Sequence, residues 1–114
     1  ASAATLVRFL ESRDISGRTR VVLGMLSDKD IAAFIDALAG VTDDWYLATL
    51  EGERGLSSRT LAGVLDSQGS GRNGQQFGCV EAALAQARSD AASGDGIVVC
   101  GSFVTVAKAL ASHV

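Results

Sequence analysis

Three short segments of the sequence join glycine to charged or hydroxyl residues directly after an apolar run: 24–30 (GMLSDKD), 51–55 (EGERG) and 101–102 (GS). A lysine cation and the free N–H groups at the start of a helix both attract carboxylates and phosphates. Glycine also lets such an anion approach the backbone closely. The segments therefore indicate an anion-binding region to which Lys29, Gly101 and Ser102 could contribute. As the N-cap of a helix, however, Ser102 needs no ligand.

The first two segments also have structural interpretations that need no ligand. Lys29 is expected in a first helical turn, where its charge opposes the helix dipole and hints at an anionic partner, but a solvated lysine explains it equally well. Ser27 followed three residues later by Asp30 is typical of a helix start, in which both side chains cap backbone N–H groups. Glu51 and Arg54 predict an ordinary surface ion pair, which stabilises a fold by about 0–1 kcal/mol.

No arrangement of residues in the sequence points to a reaction. No nucleophile is spaced with a base, no histidine belongs to a triad, and no carboxylate cluster suits magnesium. His113, the one histidine, stands next to the last residue. Cys79 and Cys100 lack the spacing of a metal site; a disulfide between them stays open, and Cys100 is expected as a small core residue. Residues 69–72 (GSGR) lack the flanking strand and lysine of a P-loop.

Continuous apolar, β-branched runs predict three buried parallel strands. Apolar residues at helical spacing predict the helices between them. The strands are expected at 19–26, 44–50 and 96–100, and the helices at 3–12, 28–39, 58–65, 79–92 and after Ser102. The polar stretch 66–76 is expected as a flexible loop, followed by a very short strand near Phe77.

Strands that alternate with helices predict an α/β fold with a Rossmann-like, mostly parallel sheet and helices on both faces. Such domains bind ligands outside the carboxyl ends of their strands, where the three segments would meet. The chain opens with a predicted helix, whereas doubly wound domains begin with a central strand. We therefore expect that its first central strand is missing, because the chain is a fragment or because the strand comes from elsewhere.

Composition narrows the classes of partner. The 114 residues are 47% hydrophobic and 20% charged, with a formal net charge of −3, as expected for one soluble domain spanning 1–114. The arginines are scattered rather than clustered, which argues against a nucleic-acid surface and equally against a membrane surface. The apolar runs are shorter than the ~20 residues of a membrane span, and no secretory leader is recognised, so a cytoplasmic protein is expected.

Taken together, the segments VVLGMLSDKD (21–30), DDWYLATLEGERG (43–55) and VVCGSFVTVA (98–107) are more specific than any one of them. In order and spacing they resemble the C-terminal domain of the bacterial bifunctional dihydrofolate synthase/folylpolyglutamate synthases, which belong to the Mur ligase superfamily. The resemblance extends from the first predicted helix to about Leu110 and so covers nearly the whole chain.

The resemblance implies an ATP-dependent ligase that adds L-glutamate to dihydropteroate and to folates through an acyl phosphate. In that family a larger N-terminal domain with a P-loop binds most of the ATP and Mg²⁺, and the full enzyme is expected to be monomeric. This chain contains neither a P-loop nor the family's Asp-x-Ala-His-Asn-Pro segment, and it has Val104 where some relatives carry histidine. Alone, it is therefore expected to be inactive.

By resemblance, Lys29 lies near the position at which related ligases have a lysine that holds a carboxylate of the incoming amino acid. Ser102, after Gly101, is similar to a serine that lines the amino-acid pocket. Both are therefore candidate glutamate ligands, and no residue of the chain is expected to be catalytic. Four further residues match family motifs without an implied role: Asp28, Asp30, Glu51 and Arg54.

Two other functions fit the strand–helix pattern. A nonenzymatic flavodoxin-like or receiver-like regulatory module would use an acidic pair such as Asp28 and Asp30, but it would also need a lysine near the last strand, where the sequence has 100–102 (CGS). A different amino-acid ligase of the Mur superfamily, with another acceptor, is the second alternative. A dinucleotide-binding domain is weaker still, because no Gly-x-Gly-x-x-Gly follows a strand.

Overall fold

The structure, a computed structural model, describes residues 8, 16–28, 30–68, 74–101 and 105–106. Four strands and three helices are defined within this part of the chain. None of these helices is long and apolar enough to cross a bilayer. In chain order the elements are β1 (Thr19–Leu23), α1 (Ile31–Ala39), β2 (Asp44–Ala48), α2 (Ser58–Ser67), β3 (Gly74–Phe77), α3 (Val80–Asp90) and β4 (Gly96–Cys100).

The four strands form one parallel sheet in the order β3-β2-β1-β4. β1 pairs with β2 on one side and with β4 on the other, so that Val22 lies between Tyr46 and Val99. All five residues of β1 are buried, which explains why the strand reads as a continuous apolar run after its first two residues. The prediction of an α/β fold with a parallel sheet is confirmed.

Side chains alternate between the two faces of the sheet, and each face has its own core. On one face, strand residues such as Val21 and Trp45 pack with Ile35 of α1 and Leu61 of α2. On the other face, Tyr46 and other strand residues pack against α3, whose buried residues are Val80, Ala83, Leu84 and Ala87. Each fully buried Leu or Ile contributes about 1.5–3 kcal/mol. The described helices therefore cover both faces, as predicted.

Several predicted boundaries differ from the structure. β1 ends at Leu23 and β2 at Ala48, earlier than the predicted 26 and 50, and Leu26 forms an antiparallel bridge with Gly55 instead of continuing β1. α1 begins at Ile31, not at residue 28. The predicted helix at 3–12 lies outside the described residues apart from Arg8, and only 105 and 106 of the last predicted helix are described, both helical.

The expectation of a loop over 66–76 is wrong at both ends, whereas the very short strand expected near Phe77 is present. α2 continues to Ser67, and β3 occupies Gly74–Phe77 at the edge of the described sheet next to β2. β3 carries the exposed residues Gln75 and Gln76 and so lacks the apolar signature of a strand. Gly74 is suited to its place because a β-carbon there would lie only 2.6 Å from Leu47 Cδ1. Residues 69–73 lie outside the described part of the chain.

Candidate functional site at the carboxyl edge of the sheet

Two loops that leave the carboxyl ends of neighbouring strands are joined by backbone hydrogen bonds. They are the β1 loop (residues 24–30) and the β2 loop (residues 49–57). Ser27 N donates to Arg54 O at 2.7 Å and Leu56 N donates to Met25 O at 3.0 Å, around an antiparallel bridge between Leu26 and Gly55. The two loops therefore form a small ladder of their own above the sheet, as the shared edge of parallel strands allows.

The β2 loop folds back on itself tightly enough to require glycine. Leu50 N donates to Leu56 O at 3.1 Å, and Gly55 N donates to Gly52 O at 3.2 Å. A β-carbon on Gly55 would lie 2.0 Å from Leu50 O, far inside any normal contact. Gly52 has a φ of +104°, a region that L-residues rarely adopt. The glycines of the EGERG segment thus set the shape of the loop.

An ion pair also links the two loops. Arg54 Nη2 contacts Asp28 Oδ2, and both side chains are largely exposed, so the pair contributes little to stability. The predicted pairing of Arg54 with Glu51 is wrong, because the ladder brings Arg54 to the β1 loop instead. Glu51 is exposed. The structure therefore brings together two of the four motif residues without an implied role, Asp28 and Arg54.

The start of α1 is fixed by Asp30. Asp30 is the N-cap and its Oδ1 accepts a hydrogen bond from Ala33 N at 3.2 Å. The predicted capping role of Ser27 is wrong, because the helix begins after Asp30. Lys29, which was expected in the first helical turn, lies outside the described residues.

The β4 loop, which begins at Gly101, touches the β1 loop at Gly24. Gly24 N donates to Cys100 O at 3.3 Å, and Gly101 has a φ of +114°. A β-carbon on Gly101 would lie 2.2 Å from Gly24 O, so the two backbones meet only because glycine occupies position 101. This contact is with Gly24, and the close approach of a ligand to Gly101 stays a prediction. Ser102 lies outside the described residues.

The two cysteines are free, so the open question of a disulfide is answered in the negative. Cys100 is buried, as predicted, and burial raises the pKa of its thiol to about 12. Cys79 is exposed and is the N-cap of α3, although its side chain makes no capping hydrogen bond. A thiol held protonated in a core is chemically inert, and it serves to fill space.

A second polar cluster, at the amino edge of the sheet, was missed by sequence reasoning. Arg20, in β1, is 11% exposed and its guanidinium donates to Asp95 (3.0 Å), to Asp44 (3.0 Å) and to the Tyr46 hydroxyl (2.9 Å). Tyr46 in turn donates to Asp90 at 2.8 Å. The signal in the sequence was a lone arginine within a buried strand, because a buried charge needs partners. We call these five residues the amino-edge network.

The ionisation of the amino-edge network follows from its geometry. The pKa of Tyr46 is raised, chiefly by burial and then by its hydrogen bond to Asp90. The same hydrogen bond is the main reason that the pKa of Asp90 is lowered. The pKa of Asp95 is lowered chiefly because the backbone N–H groups of Ala92 and Arg18 donate to its carboxylate. The network lies at the edge of the sheet opposite the loops and is therefore not part of the candidate site. Its role is to link the strands and α3.

Within the described ranges, no group of three or more His, Cys, Asp or Glu side chains is placed to hold a metal ion. The groups that the carboxyl edge presents to a ligand are backbone N–H groups at the starts of helices. The helices α1, α2 and α3 all begin there, each after a loop that follows a strand. Such helix starts, together with a cation, suit binding of a carboxylate rather than coordination of a metal.

The fold and this edge are those of an amino-acid ligase domain. The family model described as "Mur ligase, glutamate ligase domain" matches residues 1–103, and the chain belongs to that family. Among its relatives is the dihydrofolate synthase/folylpolyglutamate synthase of Escherichia coli, which is 45% identical over 95 residues, or 83% of this chain and 21% of that protein. The resemblance predicted from the three loop segments is confirmed.

Solved structures of such enzymes share the fold of this chain. A bifunctional folylpolyglutamate synthase/dihydrofolate synthase from Yersinia pestis, complexed with AMPPNP and Mn, superposes with a TM-score of 0.88 at 45% identity and covers 98% of this chain. A structure of such an enzyme with Mn, AMPPNP and L-glutamate bound gives the same TM-score and the same identity over 98% of this chain. In both cases the chain spans 26% of the solved one. It therefore corresponds to about a quarter of these relatives.

Proposed function

We propose that this chain is the C-terminal, glutamate-ligase domain of an ATP-dependent ligase. The complete enzyme adds L-glutamate to dihydropteroate and to folates. The observation that carries the proposal is the joined set of loops at the carboxyl edge, formed by the same segments on which the resemblance rests. The family match and the bifunctional relatives support a ligase over a regulatory module.

In this proposal the chain holds and orients glutamate. Glutamate carries two carboxylates, and the loops carry two cations, Lys29 and Arg54. Arg54 is already engaged by Asp28, so Lys29 is the cation assigned to the substrate. Ser102 and the backbone next to Gly101 supply the second contact, on the neighbouring loop. A relative with L-glutamate bound supports the choice of ligand.

ATP and its Mg²⁺ are bound mainly outside this chain, by an N-terminal domain of the full-length enzyme. The metal-binding groups absent from the described residues would lie there, as would the P-loop absent from the sequence. ATP supplies the phosphoryl group that activates the acceptor carboxylate, and this domain presents the amine of glutamate to it. We further propose that the full enzyme is a cytoplasmic monomer and that the 114-residue chain alone is inactive.

The test of the proposal is the Lys29→Ala variant of the full-length enzyme, assayed by phosphate release with dihydropteroate or tetrahydrofolate as acceptor. A charge-assisted hydrogen bond contributes about 1.5–3 kcal/mol, so the KM for glutamate should rise roughly tenfold or more while the KM for ATP stays constant. Arg88→Ala is the control, because it removes an exposed cation from the last turn of α3. Equal effects on both KM values, or none, would remove Lys29 from the site.

The acceptor is tested in the same assay. Phosphate release that depends on glutamate and on a pterin or folate acceptor supports the bifunctional folate ligase. Release that requires a different acceptor, such as a peptidoglycan precursor, would assign the chain to another branch of the superfamily. The isolated chain should release no phosphate with any acceptor.

A further inference from the structure

We propose that Thr105 is a positioning residue that fixes the β4 loop against the β1 loop. In this way it holds together Gly24 and Gly101, the first residues of the two loops to which the proposed glutamate contacts are assigned. The inference rests on the proposed function for its kinetic consequence. Its structural basis is independent of that function, because it lies in contacts of the described residues.

The contact that carries the inference is one buried hydrogen bond. Thr105 is fully buried, and its Oγ1 donates to the carbonyl oxygen of Gly24 at 2.7 Å. The two residues are 81 positions apart in the sequence. Gly24 is the first residue of the β1 loop, and Thr105 lies at a helical position that follows the β4 loop. Gly24 opens the β1 loop five residues before Lys29, and Thr105 follows Ser102 by three residues.

The surroundings of the Gly24 carbonyl leave it little freedom. The same oxygen lies against the α-carbon of Gly101, where an added β-carbon would be only 2.2 Å away. From the other side, a β-carbon on Gly24 would lie 2.7 Å from Thr105 Oγ1. Gly24 N is held as well, by its bond to Cys100 O at 3.3 Å. The N–H group of Gly24 is therefore bonded to β4, and its carbonyl group is bonded to Thr105.

Removing the hydroxyl should loosen this junction without changing the size of the side chain. A valine at position 105 has nearly the same volume, but it leaves the buried carbonyl of Gly24 without this donor. A buried acceptor that has lost its partner favours rearrangement toward water or toward another donor. Because Gly24 and Gly101 are in contact, the two loops would shift relative to each other, and a dicarboxylate that bridges them would bind more weakly.

The experiment compares three variants of the full-length enzyme: Thr105→Val, Thr105→Ser and Thr42→Val. Thr42 is the matched control. It is 1% exposed, and its Oγ1 donates to the carbonyl of Leu38 at 2.8 Å in a buried setting, between α1 and β2. Thr42→Val thus removes a hydroxyl group from a buried site, as Thr105→Val does, but at the opposite edge of the sheet. Lys29→Ala is assayed alongside, as the separate test of the proposed function.

The expected result is a selective one. Thr105→Val should raise the KM for glutamate about 3- to 10-fold with the KM for ATP unchanged, Thr105→Ser should restore it, and Thr42→Val should leave both unchanged. Amide hydrogen exchange should quicken in peptides covering 21–26 of Thr105→Val, while in Thr42→Val it should stay as in the parent protein. Exchange distinguishes a loosened junction from general unfolding, which would affect all peptides.

The inference is overturned if Thr105→Val raises the KM for glutamate no more than Thr42→Val does, or if Thr105→Ser fails to restore it. Failure of the proposed function gives a different pattern, in which Lys29→Ala leaves the KM for glutamate unchanged. A selective effect of Thr105→Val in that case still supports a positioning role at this edge, with another residue as the ligand. If Thr105→Val does not fold, the serine variant and its exchange pattern decide.

Discussion

Replacing Gly55 by alanine should damage the loop ladder, whereas the same replacement at Gly63 should do the opposite. The β-carbon at position 55 would lie 2.0 Å from Leu50 O and 2.6 Å from the Leu50 carbonyl carbon. Both of these are backbone atoms, which cannot rotate away as a side chain can. At Gly63, on the exposed side of α2, an added β-carbon would meet nothing within 4 Å.

The magnitude of the Gly55→Ala effect follows from these contacts. Relief of the overlap requires a backbone displacement of about 1 Å, and shifts of this kind cost about 1–3 kcal/mol. They would also weaken the bonds from Leu50 N to Leu56 O and from Leu56 N to Met25 O, each of which contributes about 1 kcal/mol. The free energy of unfolding should fall by about 2–4 kcal/mol. At about 4 °C per kcal/mol for a domain of this size, Tm should fall by roughly 8–16 °C.

Gly63→Ala should raise the free energy of unfolding by about 0.5–1 kcal/mol, because alanine loses less backbone freedom than glycine when a helix forms. The assay is thermal unfolding of the three 114-residue proteins, followed by circular dichroism. In the full-length enzyme, Gly55→Ala should also raise the KM for glutamate, since the β2 loop supports the β1 loop that carries Lys29. A Gly55→Ala variant as stable as the parent would refute the described packing of the loop.

Two further predictions concern ionisable groups. Because the folded-state pKa of Asp95 is depressed, its contribution to stability is fully present above the unfolded value of about 3.9 and is lost as the pH falls through the folded value. The Tm of Asp95→Asn should therefore lie below that of the parent at pH 7, with a gap that closes below about pH 4; calorimetric scans across pH check this, and a constant gap contradicts it. For the thiols, iodoacetamide at pH 8 should modify the exposed Cys79 and spare Cys100, whose burial raises its pKa to about 12. Mass spectrometry of the native protein gives the ratio, and equal labelling would show that Cys100 is accessible.

The layers of the fold were predictable because they depend on local apolar patterns. The strand at 96–100 was predicted to the residue, and the helical spacing of Ile31, Phe34, Ile35 and Leu38 placed α1 correctly except at its start. For β3, the very short strand expected near Phe77 is present, but its start at Gly74 was missed, because the exposed residues Gln75 and Gln76 give no apolar period to detect. Its strand character depends on pairing with β2, which is a tertiary contact that local propensity does not encode.

The candidate site was predictable as a location but not as a set of contacts. Parallel strands place their following loops at one edge, and this rule alone gathers the three segments there. It does not reveal that Arg54 reaches Asp28 rather than Glu51, or that Thr105 bonds to Gly24. Such contacts depend on backbone positions that are set by the packing of the sheet and of both cores, which local sequence patterns do not encode.

The amino-edge network has a practical consequence for redesign. It ties β1, β2 and the end of α3 together at the side of the sheet farthest from the loops. A differently shaped turn could be grafted into 51–54 to test acceptance of a longer or a neutral amino acid. The amino-edge network would stay intact. Changes to a loop at the carboxyl edge therefore need not disturb the ionic contacts at the amino edge.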